Sequence, residues 1–370
     1  MSTPAQPRAI PQMEPSYGRE EIDATTAYLE SGGWLTEFTQ THAFERAIAE
    51  YVGVRHCTVV PSGTAALFVA LKAAGVGPGD EVLVPDLTMI ATATAVTLAG
   101  ARPVFVDIDA RTLCMDLTRA ERALTPRTRA MLVVSLNGRS PDMAAAREVC
   151  DRRGILLLED AAQSLGSRSN GRHLGTFGQT GILSFSAPKI ITTGQGGAVL
   201  TDDDEVAVRV ERIKDFGRAV PGVDQHESIG FNFKFTDVQA VIGLAQMARL
   251  PARVERKKAL YALYASHLAE IPEVSLVQTN LQEVAPWFMD VYVDDPQGLR
   301  AHLAAVGIGS RPFYPAIHSQ PAFNEPGEFP ESERVARTGL WLPSSVRVTD
   351  EEIGRVCGRV AEFFGRTARS

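Results

Sequence analysis

Three short segments carry residue types able to do chemistry. In Pro61-Ser62-Gly63-Thr64-Ala65-Ala66-Leu67, a glycine between two hydroxyl residues stands where a β-rich run gives way to an apolar helical one. A helix N-terminus offers unpaired backbone N–H groups and the positive end of the helix dipole, so a phosphate could sit on Ser62, Gly63 and Thr64. Simple capping of the helix by Ser62 or Thr64 would use the same residues, and the tripeptide alone does not choose. In Leu158-Glu159-Asp160-Ala161-Ala162-Gln163, a carboxylate closes an apolar run. Open α/β sheets bind ligands beyond the carboxyl ends of their strands, which would set Asp160 against a ligand; capping the next helix is the competing use. In Leu183-Ser184-Phe185-Ser186-Ala187-Pro188-Lys189-Ile190-Ile191, a lysine sits between a proline and two isoleucines, ahead of the turn Gly194-Gln-Gly-Gly197. The chain has 6 lysines against 31 arginines, which sets this lysine apart from surface decoration. An amine shielded from water gives up its proton more readily, as imine formation with an aldehyde requires; a lysine stem laid along apolar surface is the plainer alternative. Taken together, an anion cradle, a carboxylate and an amine are the three groups that pyridoxal 5'-phosphate needs: an anchor, a partner for the ring nitrogen and a Schiff-base amine.

Elements able to position these groups are readable around them. Short β-rich runs recur at Cys57–Val60, Glu81–Pro85, Pro103–Asp107, Ala130–Ser135, Ile155–Glu159, Gly181–Phe185 and Ala198–Thr201. Helical stretches fall between them, including Thr64–Ala74, Met89–Leu98 and Pro141–Arg153. The alternation predicts a mainly parallel sheet with helices on both faces, and the near-continuous apolar character of the runs fits strands covered on both sides. Beyond the sheet, Thr236–Leu250 and Ala252–Ile271 read as helices interrupted at Pro251, the second long enough to connect two domains. A strand within Trp287–Val293, a helix near Pro296–Val306, a strand near Gly309–Pro312 and a helix over Asp350–Phe364 suggest a smaller α+β domain. The expected organisation is an extended arm over 1–15, a large domain over 16–250 and a small domain with its connecting helix over 251–370. Pro321–Pro330 is expected to be a mobile surface loop, with a lid as one use.

Composition excludes other classes. At about 100–200 residues per domain, 370 residues make one large core or two packed domains. A net charge of −7 repels polyanions, so nucleic acid is not an expected partner. The four cysteines, Cys57, Cys114, Cys150 and Cys357, form no CxxC pair and have no clustered histidines, which predicts buried reduced thiols, no metal and a cytoplasmic location. Met1–Pro15 lacks the apolar stretch of a signal peptide. The 15-residue run Leu87–Ala101 is short of the ~20 apolar residues of a membrane helix.

On these residues the chain resembles the DegT/DnrJ/StrS family of pyridoxal-phosphate sugar aminotransferases, almost end to end from Ile10 to Leu342-Pro-Ser-Ser345 and its helix. The most specific segments are Ser62–Leu67, Glu159–Gln163, Pro188-Lys189 with its glycine turn, and Gly230-Phe-Asn-Phe-Lys-Phe-Thr-Asp-Val-Gln239. The resemblance implies the type I aminotransferase fold, with Lys189 as Schiff-base lysine and Asp160 keeping the ring nitrogen protonated. It further implies Gln163 near the phenolic oxygen, Ser184 at the phosphate beside Gly63 and Thr64, and Asn232 reaching the cofactor of the neighbouring subunit in a homodimer. Arg311 and His318, in Arg311-Pro-Phe-Tyr-Pro315 and just beyond it, match a segment near the sugar nucleotide. Met89 stands where many relatives carry an aromatic ring stacker, and Ser135-Leu-Asn-Gly-Arg139 replaces a frequent His-x-Tyr-Gly. The implied reaction moves the amino group of L-glutamate to a keto-sugar, most often a nucleotide-linked 4-keto-6-deoxyhexose. A dehydratase branch that replaces the lysine by histidine is disfavoured by Lys189. A non-catalytic, regulatory pyridoxal-phosphate protein is the alternative, and sulfur abstraction would need a loop cysteine that the chain lacks.

Overall fold

Strands rich in Val, Leu and Ile need apolar cover on both faces, and in the computed structural model, which describes residues 8–366, they receive it. The strands up to residue 201 are β1 (His56–Val60), β2 (Glu81–Pro85), β3 (Arg102–Val106), β4 (Thr128–Val134), β5 (Leu156–Asp160), the hairpin pair β6 (Arg168–Ser169) and β7 (Arg172–His173), β8 (Thr180–Ser184) and β9 (Gly197–Thr201). All but the hairpin join one seven-stranded sheet in the order β1-β9-β8-β5-β4-β2-β3. Its pairings are parallel from β3 to β8, while β9 runs antiparallel to both its neighbours. The expected mainly parallel sheet is therefore present, with β9 as the one reversed strand. Because β9 is flanked by β8 and β1, β1 points the same way as β8 and β5. The C-terminal ends of all three open on one edge.

Alternation along each strand divides the core. Val82, Val84, Leu132, Leu158 and Val199 pack with α3 (Gly63–Ala73), α4 (Ala91–Leu98) and α7 (Asp204–Lys214). On the opposite face, Leu83, Met131, Val133 and Leu157 meet α5 (Leu117–Ala123) and α6 (Met143–Arg153). Val59, Leu183 and Leu200 on that face meet α2 (Thr39–Val52), α8 (Asp237–Ala248) and α9 (Leu250–Leu268). The helix α1 (Arg19–Glu30) precedes them.

A second, four-stranded antiparallel sheet has the order β10-β11-β13-β12, from β10 (Ser275–Leu276), β11 (Met289–Tyr292), β12 (Arg311–Pro312) and β13 (Gly339–Leu342). It packs with α9, α10 (Pro296–Ala305) and α12 (Asp350–Phe363), and α11 (Pro330–Thr338) leads into β13. The N-terminal arm is tied to it: buried Ile10 makes a parallel bridge with Ile308, and Gly309 N–H donates to the Ile10 carbonyl. Residues 1–7 of that arm lie outside the described residues.

Several helix and strand boundaries differ from those expected. The break between α8 and α9 falls at Arg249, and Pro251 lies in the first turn of α9, where a missing N–H costs nothing. The helix expected from Met89 starts at Ala91, and the strand expected from Trp287 starts at Met289. The segment 321–330 is anchored by Phe323 against Phe105 and by Phe329 stacked on His318 at 4.4 Å. Cys114, Cys150 and Cys357 are buried free thiols, whereas Cys57 is only half-buried at the rim of β1. No helix among the described residues is long and apolar enough to cross a membrane.

Candidate active site

The cradle is built by β9. Gly197, its first residue, lies opposite Val60 on β1 and Ser184 on β8, and so draws together the two loops that leave those strands. A side chain at 197 would set its Cβ 2.5 Å from the Ser62 carbonyl oxygen and 2.7 Å from the Gly63 nitrogen. A Cβ at Gly63 would fall 3.0 Å from that of Ser184 and 3.1 Å from its hydroxyl. Both glycines are needed for this close approach. Ser62 is extended and its hydroxyl accepts from Ala65 N–H at 3.1 Å, making it the N-cap of α3. Capping and anion binding are compatible here, because the Gly63 and Thr64 N–H groups of the first turn remain without helical partners. Thr64 is exposed at the rim.

Asp160 ends β5 two strands away from the cradle. It is buried, accepting from the Thr92 hydroxyl at 2.8 Å and from Ala162 N–H at 3.1 Å. Burial pushes its pKa up, against these two hydrogen bonds and the nearby charge of Lys189. Lys189 projects from the loop after β8, and its amine lies 3.7 Å from the centre of the Trp287 ring. Loss of water pushes the pKa of this amine down to about 7, with Asp160 resisting. Trp287 is locked beneath it: the indole N–H donates to the Pro188 carbonyl at 2.7 Å, and the Trp287 carbonyl accepts from buried Lys257. Gln163, Ser184, Lys189 and Trp287 line one small enclosed cavity. Tyr314 is buried near enough to Asp160 to feel its charge, and burial pushes its phenol up to about 12.

The other sequence-derived candidates are more scattered. Met89, after β2, is 45% exposed, so it is no core methionine. Arg311 holds its guanidinium 5.5 Å from the Trp341 ring and 5.7 Å from that of Tyr314. His318 is buried, with Nδ1 on Asp86 at 2.7 Å and Nε2 3.4 Å from Glu333, so its ring is committed to protein partners. Asn232 is exposed and pairs by its backbone with Asp215. Thr92 and Trp287 were not singled out from the sequence as site residues, and Tyr314 only as part of the segment Arg311–Pro315. Thr92 lies in a threonine-rich helix and Trp287 in an ordinary aromatic run, with no local signal of a place in the site.

A model of the DegT/DnrJ/EryC1/StrS aminotransferase family matches residues 15–361, spanning both sheets and every group above. The chain belongs to this family. It is an aminotransferase, and the enzymes of the DegT/DnrJ/EryC1/StrS family depend on pyridoxal 5'-phosphate. GDP-perosamine synthase of Escherichia coli O157:H7 is 33% identical, over 96% of this chain and 98% of that protein. The crystal structure of S. venezuelae DesV is 36% identical with a TM-score of 0.89, covering 94% of this chain and 95% of that one. DesI, solved in the presence of its TDP-sugar product, is 31% identical with a TM-score of 0.88, covering 98% and 95%. The type I aminotransferase fold expected from the sequence is the fold of these family members.

Proposed function

We propose that this aminotransferase moves the amino group of L-glutamate to a nucleotide-linked keto-sugar, a 4-keto-6-deoxyhexose, and so makes an amino sugar. The names of the relatives support the substrate class, since GDP-perosamine synthase and DesI with its TDP-sugar product are both sugar-nucleotide proteins. The observation that carries the reading is a water-shielded Lys189 amine, pushed down to about 7, facing a buried Asp160 from the next strand.

The residues present fit pyridoxal 5'-phosphate. The Gly63–Ser184 approach and the free N–H groups of α3 suit its phosphate, and Asp160 suits its ring nitrogen. Gln163 suits its phenolic oxygen, Lys189 its aldehyde and Met89 its ring face. When bound, the cofactor supplies an aldehyde that takes up nitrogen and a ring that takes up electrons. Asp160, held as an acceptor by Thr92 and Ala162, keeps the ring nitrogen protonated. Lys189 Nζ carries the proton removed from the α-carbon of L-glutamate and later supplies one at the substrate end, while the Trp287 ring gives the charged amine a resting place. Arg311 is suited to the diphosphate of the sugar nucleotide. His318 holds Asp86, on the same loop as Met89.

Asn232 serves a second copy of the chain in a homodimer with shared sites. Support comes from the exposed apolar side chains around it and on the 34–38 loop: Ile229, Phe231, Trp34, Leu35 and Phe38. The arm over 1–15, large part over 16–250 and small part over 251–370 belong to this reading, as does a cytoplasmic location, which four free cysteines support. Purified protein is expected to show a visible band with the cofactor that L-glutamate bleaches, and Lys189→Ala should lack the band. A wild type that binds the cofactor yet keeps its band with L-glutamate would remove the donor assignment and favour the non-catalytic alternative.

A further inference from the structure

The segment Ser135-Leu-Asn-Gly-Arg139 after β4 is the one sequence feature the site description leaves without a role. Its backbone is unusual: Asn137 takes φ 50° and ψ 34°, and Gly138 follows at φ 85°. Asparagine is among the few side-chain residues that adopt this left-handed region. Gly138 is wedged, since a Cβ there would lie 2.6 Å from the Ala285 carbonyl oxygen. This backbone aims the Asn137 N–H at Gln163, whose Oε1 accepts it at 3.0 Å. An amide has one oxygen and one NH2 group. With the oxygen taken, the NH2 is the end left for a ligand, and it donates to none of the described residues.

What holds Asn137 comes from the second sheet. Its Nδ2 donates to Oδ1 of Asp290 on β11, and Arg139 pairs with Oδ2 of the same carboxylate. The Trp341 indole, directly opposite on β13, donates to Oδ1 at 2.7 Å. Arg139 also donates to the Thr112 carbonyl at 3.1 Å and to the Thr279 hydroxyl at 3.2 Å. Asn137, Arg139 and Asp290 are all buried. A buried ion pair is a poor source of stability, so one retained between two sheets calls for a use in fixing geometry.

We infer that Asn137, Arg139 and Asp290 are positioning residues that lock the Gln163 amide with its NH2 group outward, as a donor for the phenolic oxygen of the cofactor. The inference rests on the proposed contact between Gln163 and that oxygen. It makes the small sheet part of the cofactor site without touching the cofactor.

The test is the pH midpoint of the visible band in protein loaded with pyridoxal 5'-phosphate. A donor on the phenolic oxygen favours the form in which the linking nitrogen has lost its proton, so losing the donor moves the midpoint up. Gln163→Glu removes the donor and adds a carboxylate, so it sets the upper limit of the rise. Asn137→Gly keeps the left-handed backbone and the N–H but removes the anchor to Asp290, and should raise the midpoint by roughly half a pH unit. Trp341→Phe removes only one donor to Asp290 and should give a smaller rise. Asp160, the titratable group whose charge bears on Lys189, is unchanged in every variant. In the Gln163→Glu background, Asn137→Gly should add nothing. The inference is overturned if Asn137→Gly leaves the midpoint in place while Gln163→Glu moves it, or if the two shifts add. If Gln163→Glu itself has no effect, the underlying contact is wrong and both fall together.

Discussion

In the proposed reading, the amine of Lys189 is the group whose state decides whether the site can engage an aldehyde, and its surroundings set that state. With the pKa pushed down to about 7, the neutral fraction grows roughly tenfold per pH unit below 7 and levels off above it. The rate at which the visible band appears after mixing with pyridoxal 5'-phosphate should follow that curve, climbing from pH 5.5 and flattening by pH 8. A rate still climbing at pH 9 would mean an ordinary, hydrated lysine. Asp160 depends in turn on Thr92, whose hydroxyl is one of its two donors. Thr92→Val keeps the shape and removes the donor, leaving a buried carboxylate under-satisfied. A loss of about 2 kcal/mol, roughly thirtyfold in kcat/KM, is expected. Steady-state kinetics at saturating cofactor would check it. Lys189, Asp160 and Gly63 were legible in the sequence because each sits in a segment whose immediate neighbours announce a strand end. Thr92 acts on Asp160 from 68 positions away, and Trp287 holds Pro188 from 99 positions away. Such partnerships leave no local trace in residue type or spacing.

At the scale of elements, the strand runs were readable to within a residue or two because buried parallel strands are apolar throughout and their turns are not. The reversal of β9 was not. Gly197-Ala-Val-Leu-Thr201 is as apolar as its neighbours, and direction goes with a helix-free return through 185–196, not with side-chain pattern. Helix ends were also imperfectly legible, and α2 shows why. Phe38 stands at its N-cap and has no side-chain acceptor to offer. Asp237, from the first turn of α8, supplies the acceptor: its carboxylate takes the N–H groups of Phe38, Gln40 and Thr41 and the hydroxyls of Thr41 and Tyr28. These donors hold its carboxyl below the usual aspartate range despite burial. Asp237→Ala would orphan three backbone donors at once and free the 31–38 loop. We expect a destabilisation of about 2–4 kcal/mol in urea unfolding, together with new proteolytic cleavage confined to residues 31–38. Stability within about 0.5 kcal/mol of wild type would show that water replaces the carboxylate and that the clamp is not structural.

For the whole molecule, the question is whether one chain holds a complete site. Lys189, Asp160, Gln163 and the Gly63 cradle converge on a single sheet edge, whereas Asn232 is exposed on the loop between α7 and α8. Its neighbours Ile229, Phe231, Val220 and Val223 are exposed as well, and a soluble chain seldom leaves that many apolar side chains together unless something covers them. A second copy that buried this loop would carry Asn232 into the site of the first copy, and the arrangement would be reciprocal about a two-fold axis. Mixing inactive variants separates this from a self-contained site. If the sites are shared in this way, Lys189→Ala and Asn232→Ala would each spoil both sites of their own dimer. In a hybrid dimer, one site would then receive both defects and the other neither. Equal amounts, unfolded and refolded together, should yield about half hybrids, each with one intact site, and hence about a quarter of wild-type activity above the residual rate of either parent. If Asn232 serves its own protomer, every site in the mixture carries one defect or the other and mixing restores nothing. The assay reads a gain against an inactive background, so a merely misfolded variant cannot imitate the expected result.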